Sequence, residues 1–478
     1  MTGRLVPAAL AALVLLLVAV APPVGGLTPG AMRAAAVALV MAALWVSEAL
    51  PLAVTATIPL VAFPVLGIAT LRETAVGYAD PVNLLMIGGF ALGHAVEEVG
   101  LHRRFADALL RPLWVRSSPQ RALFAVMVAT AALSAVLSNT ATMLMMVPIA
   151  RGLAARSLPG GGAQAPFLLG AAYAATIGGC ATLIGTPPNT ILAGMAPKLA
   201  GATVSFAAWA AVGVPFVALV LPVAWLAVGR LTYALPNAAP PADAPVPTAW
   251  GRGERDVLAV AAVALAAWMF RAPIDIGAWR IPGWSEALPG KPIDDAWVAV
   301  ACALVLFFVR GPDGPVLQWE RLERAVPWSV PILFGGGFAL ADGLDRTGLG
   351  AVLAGAAVGL GSLPGWLATW LMCATGVVFT EFVNNTSATQ LTLPIVAQAA
   401  KGLGLDPLAW MIPATLAASC GFMMPAGTAA NAIAVESGGV RPADMVRAGF
   451  VVNVWSATMA AAVGVVWWPV VQAVLGAR

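Results

Sequence analysis

Gly88-Gly89-Phe90-Ala91-Leu92 returns unchanged as Gly336-Gly337-Phe338-Ala339-Leu340. Gly100-Leu101 returns at the same offset as Gly348-Leu349. Farther along, Asn139-Thr140 precedes Pro148 by the same spacing that separates Asn385-Thr386 from Pro394. Last, Gly185-Thr186 with Asn189 and Ile191 is matched by Gly427-Thr428 with Asn431 and Ile433. Four landmarks repeated in one order mark a duplicated unit. One copy is read at 31–228 and the other at 255–473. Residues 229–254, with Pro236, Pro240, Pro241, Pro245 and Pro247, read as a loose cytoplasmic linker. Residues 1–30 read as a leading transmembrane helix; Arg4, an apolar run to Ala21 and Pro22-Pro23 also fit a cleaved signal peptide.

Composition fixes the class. The 478 residues are 60% hydrophobic and 10% charged, with a mean hydropathy of +0.89. Soluble domains carry about 25% charged residues, so this chain cannot coat its surface against water. The expectation is an all-α polytopic membrane protein of about 11 transmembrane helices, each needing about 20 apolar residues. Spans are expected at 5–22, 31–49, 52–68, 82–99, 166–196, 204–228, 255–273, 294–309, 328–345, 407–434 and 447–473. Two further apolar stretches, 118–155 and 364–400, are too long for one span and carry polar clusters at their middles. They read as two re-entrant hairpins. A net charge of +3 gives no ground for a nucleic-acid partner; the expected surroundings are a lipid bilayer, the inner (plasma) membrane.

Counting crossings then gives the symmetry. The second copy begins five spans after the first, an odd number, so the two are expected in inverted topology, as in many secondary transporters. The loop after 82–99 carries Arg103, Arg104, Arg111, Arg116 and Arg121, whereas the matching region from Thr347 to Ala400 has no Lys or Arg. Basic residues mark cytoplasmic loops. This puts the N-terminus in the cytoplasm, opens the first hairpin from the cytoplasm and opens the second from outside.

The polar clusters carry the chemistry. Leu137-Ser138-Asn139-Thr140-Ala141-Thr142 lies near mid-membrane, where irregular backbone is tolerated only when it lines a cavity or is covered by protein. Freed amides there suit an anion, and freed carbonyls and hydroxyls suit a small hard cation. Gly185-Thr186-Pro187-Pro188-Asn189 must unwind its span, because two prolines remove two amide donors. The broken halves turn their positive N-terminal ends toward the cavity. No Lys, Arg or His lies in these segments, and Glu381 is the single carboxylate near a motif. A dianion held without a fixed cation is costly in low dielectric, so mobile cations are expected to accompany it. Cys180, Cys302, Cys373 and Cys420 form no CxxC pair, and no HExxH or Cys/His ligand spacing occurs, so a zinc site is not expected. Nor is an enzyme expected, since no nucleophile–base set, aspartyl pair or metal motif is present.

The chain resembles the divalent anion/sodium symporter family, the dicarboxylate, citrate and sulfate transporters. The resemblance rests on Trp45-Val46-Ser47-Glu48-Ala49-Leu50-Pro51, GGFALGHAVEEVGLHRRFA at 88–106, SNTAT at 138–142 and IGTPPNTI at 184–191. It continues through TEFVNNTSAT at 380–389, SCGFMMPAGTAANAI at 419–433 and DMVRAGF at 444–450. It implies one sodium site at Ser134, Ser138, Asn139 and Gly185, and another at Thr380, Val383, Asn385 and Gly427. Substrate carboxylates would meet Ser138, Asn139, Thr140, Asn384, Asn385 and Thr386, with Thr186, Pro187 and Thr428 nearby. It further implies a homodimer and an elevator-type cycle. The expected function is sodium-coupled symport of small dianions, C4-dicarboxylates such as succinate or malate first. A dicarboxylate exchanger, or a proton-coupled or sulfate permease on the same fold, is the alternative. Two departures stand out: Asn384 replaces the serine of the first SNT, and Ala429-Ala430 replaces the two prolines.

Overall fold

The structure, a computed structural model, describes residues 13–475 apart from 16, 19–20, 23–26, 158–163, 238–248, 277–278, 289, 291–292, 312–313 and 357–361. Most of the expected leading helix 5–22, and the prolines 240–247 of the linker, lie outside the described residues. The fold is mostly helical, with two small antiparallel ribbons added: Ile274–Ile276 on Trp279–Ile281, and Arg310–Gly311 on Gly314–Pro315.

Among the described residues four helices are long and apolar enough to cross a membrane: Pro29–Ser47, Leu71–Glu98, Phe206–Thr232 and Pro442–Leu475. Several other expected spans are interrupted. The stretch read as 166–196 divides into Gln164–Gly179 and Pro187–Ala200, and 407–434 into Pro407–Ala418 and Ala429–Glu436. The helix Ser329–Arg346 is entered from Trp319–Ala325 through a bend of 55°. The cause is local: each divided stretch carries Gly or Pro where the backbone must leave the helical ladder.

The duplicated landmarks occupy equivalent places. Each GGFAL lies within an 18-residue helix, Pro81–Glu98 or Ser329–Arg346. Each helix is followed by the repeated glycine in left-handed backbone, Gly100 at φ +77° and Gly348 at φ +71°, before a new helix begins. Only glycine takes that conformation without steric cost.

Helices in lipid gain little from further burial of apolar area, so close packing of small residues must hold them. Gly213 and Gly449 show such packing at the two breaks. A methyl group on Gly213 would lie 2.2 Å from Cys180 O, and one on Gly449 would lie 2.5 Å from Phe422 O. The spans Phe206–Leu226 and Pro442–Ala462 thus press backbone to backbone on the two helix breaks. Trp209 Nε1 adds a hydrogen bond to Cys180 O at 3.0 Å.

Candidate functional site

The two polar stretches become two helix–tip–helix units. The first joins Pro119–Ser134 to Asn139–Ser157, and the second joins Gly365–Phe382 to Asn385–Gly402. Each tip starts its second helix with a side-chain cap. Ser138 Oγ accepts from Ala141 N at 3.2 Å, and Asn384 Oδ1 accepts from Thr386 N at 3.0 Å. Ser and Asn are both strong N-caps, so the Ser-to-Asn departure preserves this role.

Behind each tip lies an oxygen-rich knot. Ser134 Oγ is 2.9 Å from Asn139 Oδ1 and 2.7 Å from Ala175 O. In the second unit Thr380 Oγ1 is 2.6 Å from Asn385 Oδ1, 2.7 Å from Ala418 O and 3.4 Å from Val383 O. A hydroxyl has one hydrogen to give. Each knot therefore holds more acceptor oxygens than its hydroxyl can satisfy at once. Asn385 Nδ2 is turned away and donates to Ser419 O at 3.2 Å.

The broken helices close on the same knots. Asn189 Nδ2 donates to Gly179 O at 2.9 Å and Thr182 O at 2.7 Å, bracing the first break. Asn431 Nδ2 makes the matching pair, to Gly421 O at 3.0 Å and Met424 O at 3.2 Å. Gly179 faces Asn139: a methyl group on Gly179 would fall 2.5 Å from Asn139 Oδ1 and 3.2 Å from Gly185 O. The breaks differ in how their second halves start. Pro187 and Pro188 lack amides, Thr186 makes no side-chain cap, and Asn189 N donates to Thr186 O at 3.2 Å. In the second break Thr428 Oγ1 caps the helix by accepting from the matching amide, Asn431 N, at 3.1 Å. The alanine departure is thus matched by a working cap.

The two halves meet at Thr176 and Thr428, whose hydroxyl oxygens are 3.5 Å apart. Tyr173 adds a second tie; its hydroxyl lies 2.6 Å from Phe422 O and 3.0 Å from Met445 O.

Every expected site residue therefore lies at a tip, in a break or in the end turn of a helix entering or leaving one. Thr186, Asn385, Thr386 and Thr428 are buried, whereas Thr140 is exposed. Sequence reasoning missed the bracing role of Asn189 and Asn431, the contact through Thr176, and Asn453, which donates to Glu381 Oε1 at 2.6 Å. The bracing pair was legible in principle, since both asparagines belong to the repeated G-T-x-x-N. Asn453 carries no such signal. Arg151 bonds Ser437 O just beyond the second broken helix.

An apolar, mostly helical chain with capped tips and braced breaks, joined through Thr176 and Thr428, is built as a membrane-embedded protein. The citrate transporter family model matches residues 42–415. The sodium-dependent high-affinity dicarboxylate transporter 3 of Caenorhabditis elegans is 32% identical, over 87% of this chain and 79% of that protein. The sodium-dependent dicarboxylate transporter SdcS of Staphylococcus aureus (strain USA300) is 32% identical over 88% of this chain and 83% of its own. The Na(+)/citrate cotransporter of Rattus norvegicus is 30% identical over 88% of each. In fold, the chain is similar to the crystal structure of the Alcanivorax borkumensis YdaH transporter, with a TM-score of 0.59 at 18% identity, covering 83% of this chain and 88% of that one. The chain belongs to the citrate transporter family, and it is also related to proteins named as sodium-dependent dicarboxylate transporters.

Proposed function

We propose that the protein is a sodium-coupled symporter of small dianions, C4-dicarboxylates such as succinate or malate, in the plasma (inner) membrane. The observation that carries this reading is the hydrogen shortage at Ser134 and Thr380, each one hydroxyl facing two or more acceptor oxygens. Oxygen cages of this kind, with no imidazole, suit a hard monovalent cation. One cage is Ser134, Ser138, Asn139 and Gly185; the other is Thr380, Val383, Asn385 and Gly427. Four helices start beside them, at Asn139, Pro187, Asn385 and Ala429, and their positive ends suit the carboxylates of the cargo. Asn139-Thr140, Asn385-Thr386, Thr186, Pro187 and Thr428 would meet those carboxylates, with Ser138 and Asn384 fixing the tips. The relatives' names, which pair sodium with dicarboxylate or citrate, support the same assignment.

In this reading the matched landmarks are inverted repeats, 31–228 and 255–473, joined by the linker 229–254. The tips are re-entrant, the N-terminus is cytoplasmic and the protein works as a homodimer. A bundle holding both tips and the broken helices slides against a scaffold in an elevator cycle. The test is uptake of labelled succinate into proteoliposomes. Uptake should rise with external sodium, with a Hill coefficient above one, and vanish in choline. Sodium-independent uptake driven by internal dicarboxylate would replace this reading with exchange.

A further inference from the structure

Beside the second break, on the helix Gly365–Phe382, lies a charge that the first half lacks. Glu381 follows Thr380; the residue that follows Ser134 is Ala135. Glu381 is buried. Its Oε1 accepts from Phe422 N at 2.7 Å, Met423 N at 2.9 Å and Asn453 Nδ2 at 2.6 Å, and its Oε2 accepts from Met424 N at 2.8 Å. All four partners are donors, the set that an ionised, acceptor-only carboxylate calls for. All four are also neutral, so they solvate the charge without cancelling it.

The first break solves the same backbone problem without a charge. Cys180 N donates to Ile177 O and Ala181 N to Gly178 O, both at 3.0 Å. Thr182, the counterpart of Met424, sends its hydroxyl to Ala135 O. The space over the two cage glycines shows the difference directly. A methyl group on Gly185 would meet Gly179 O at 2.5 Å and Ser134 O at 3.0 Å. On Gly427 it would meet the matching Gly421 O at 3.4 Å and Thr380 O at 3.5 Å, and also Glu381 Oε2 at 3.4 Å. The second cage is the roomier one, and a carboxylate oxygen borders it.

We infer that Glu381 makes the two cation sites unequal: it holds the carbonyls of the second break in place and gives that site a fixed negative charge, so the second site takes sodium more tightly and fills first. The inference rests on the sodium-symport reading of the preceding subsection. Glu381 is a positioning residue here, acting through the backbone oxygens and the field at the cage.

The test compares the wild-type chain with Glu381→Gln and Glu381→Asp in proteoliposomes. Two readouts are used: sodium activation of labelled succinate uptake, and sodium-induced thermal stabilisation without succinate. E381Q keeps the shape and removes the charge. It should move the tighter sodium-binding step, read by thermal stabilisation, to about tenfold or more higher sodium, the scale expected for a nearby charge in a partly buried site, and raise the half-activating sodium concentration for uptake. E381D, which keeps the charge, should recover part of the shift. A merely structural role would reduce folded protein or maximal rate and leave the sodium midpoint unmoved. Folded E381Q with the wild-type sodium midpoints overturns the inference. If E381Q does not fold, sodium titration of the wild type and E381D decides. Two classes of site, the tighter one weakened in E381D, support the inference, and a single class overturns it. Wild-type uptake that ignores sodium is a different result: it removes the symport reading, and the inference falls with it.

Discussion

Thr176 Oγ1 lies 3.5 Å from Thr428 Oγ1, and this contact joins the helix before the first break to the cap of the second. Each hydroxyl therefore serves the other half of the molecule. Thr428→Val loses both the cap on Asn431 N and the cross-contact, and should lower uptake at least tenfold while costing about 1 kcal/mol of stability, the usual worth of an N-cap. Thr428→Ser should retain both. Uptake and thermal unfolding measured on the pair check this; a fully active valine variant would contradict it.

Asn139→Ala and Asn385→Ala should each abolish uptake without loss of folded protein. Each Asn Oδ1 belongs to an oxygen knot, at 2.9 Å from Ser134 Oγ and 2.6 Å from Thr380 Oγ1 respectively. Losing a buried contact to a charged ligand costs roughly 1.5–3 kcal/mol. Retained transport in either well-folded variant would remove that residue from the site.

Gly213→Ala and Gly449→Ala should destabilise the fold by about 1–3 kcal/mol, the usual cost of overpacking. The added methyl groups would lie 2.2 Å from Cys180 O and 2.5 Å from Phe422 O. Gly152→Ala is the control, because nothing lies within 4 Å of its new methyl group. Thermal unfolding in detergent should separate the first two variants from the third; equal midpoints for all three would count against the packing argument.

Lys198 Nζ lies 3.8 Å from Asp80 Oδ2, so the end of the first broken helix faces the start of the GGFAL helix. In the elevator reading these elements belong to different bodies. A cleavable thiol cross-linker joining Asp80→Cys to Lys198→Cys, in a Cys302→Ser background, should arrest uptake. Reduction should restore it. Undiminished turnover in the linked protein would argue against sliding.

The repeated motifs made the tips and breaks legible because they are short, local and duplicated. Spacing alone picks out Asn139 with Asn385, and Gly185 with Gly427, as matched landmarks. What the sequence concealed are contacts made by single residues across long separations. Asn453 meets Glu381 from 72 residues away, and Tyr173 meets Phe422 from 249 residues away. Neither distance leaves a periodic trace. The departures at 384 and 429–430 stand out when residue type is compared, whereas the structure shows a helix cap at each place: Asn384 caps the second tip, and Thr428 caps the second broken helix on Asn431 N.

The glycine contacts at 213 and 449 also bear on mechanics. Two surfaces slip past each other most easily along a layer of side chains that can change rotamer. Carbonyl oxygen against bare Cα, tied further by Trp209 Nε1 to Cys180 O, offers no such layer. A plane of shear cannot pass between the breaks and the spans Phe206–Leu226 and Pro442–Ala462. If one body carries cargo across the bilayer, those two spans travel as its flanks, and the lipid they displace becomes part of the work of each stroke.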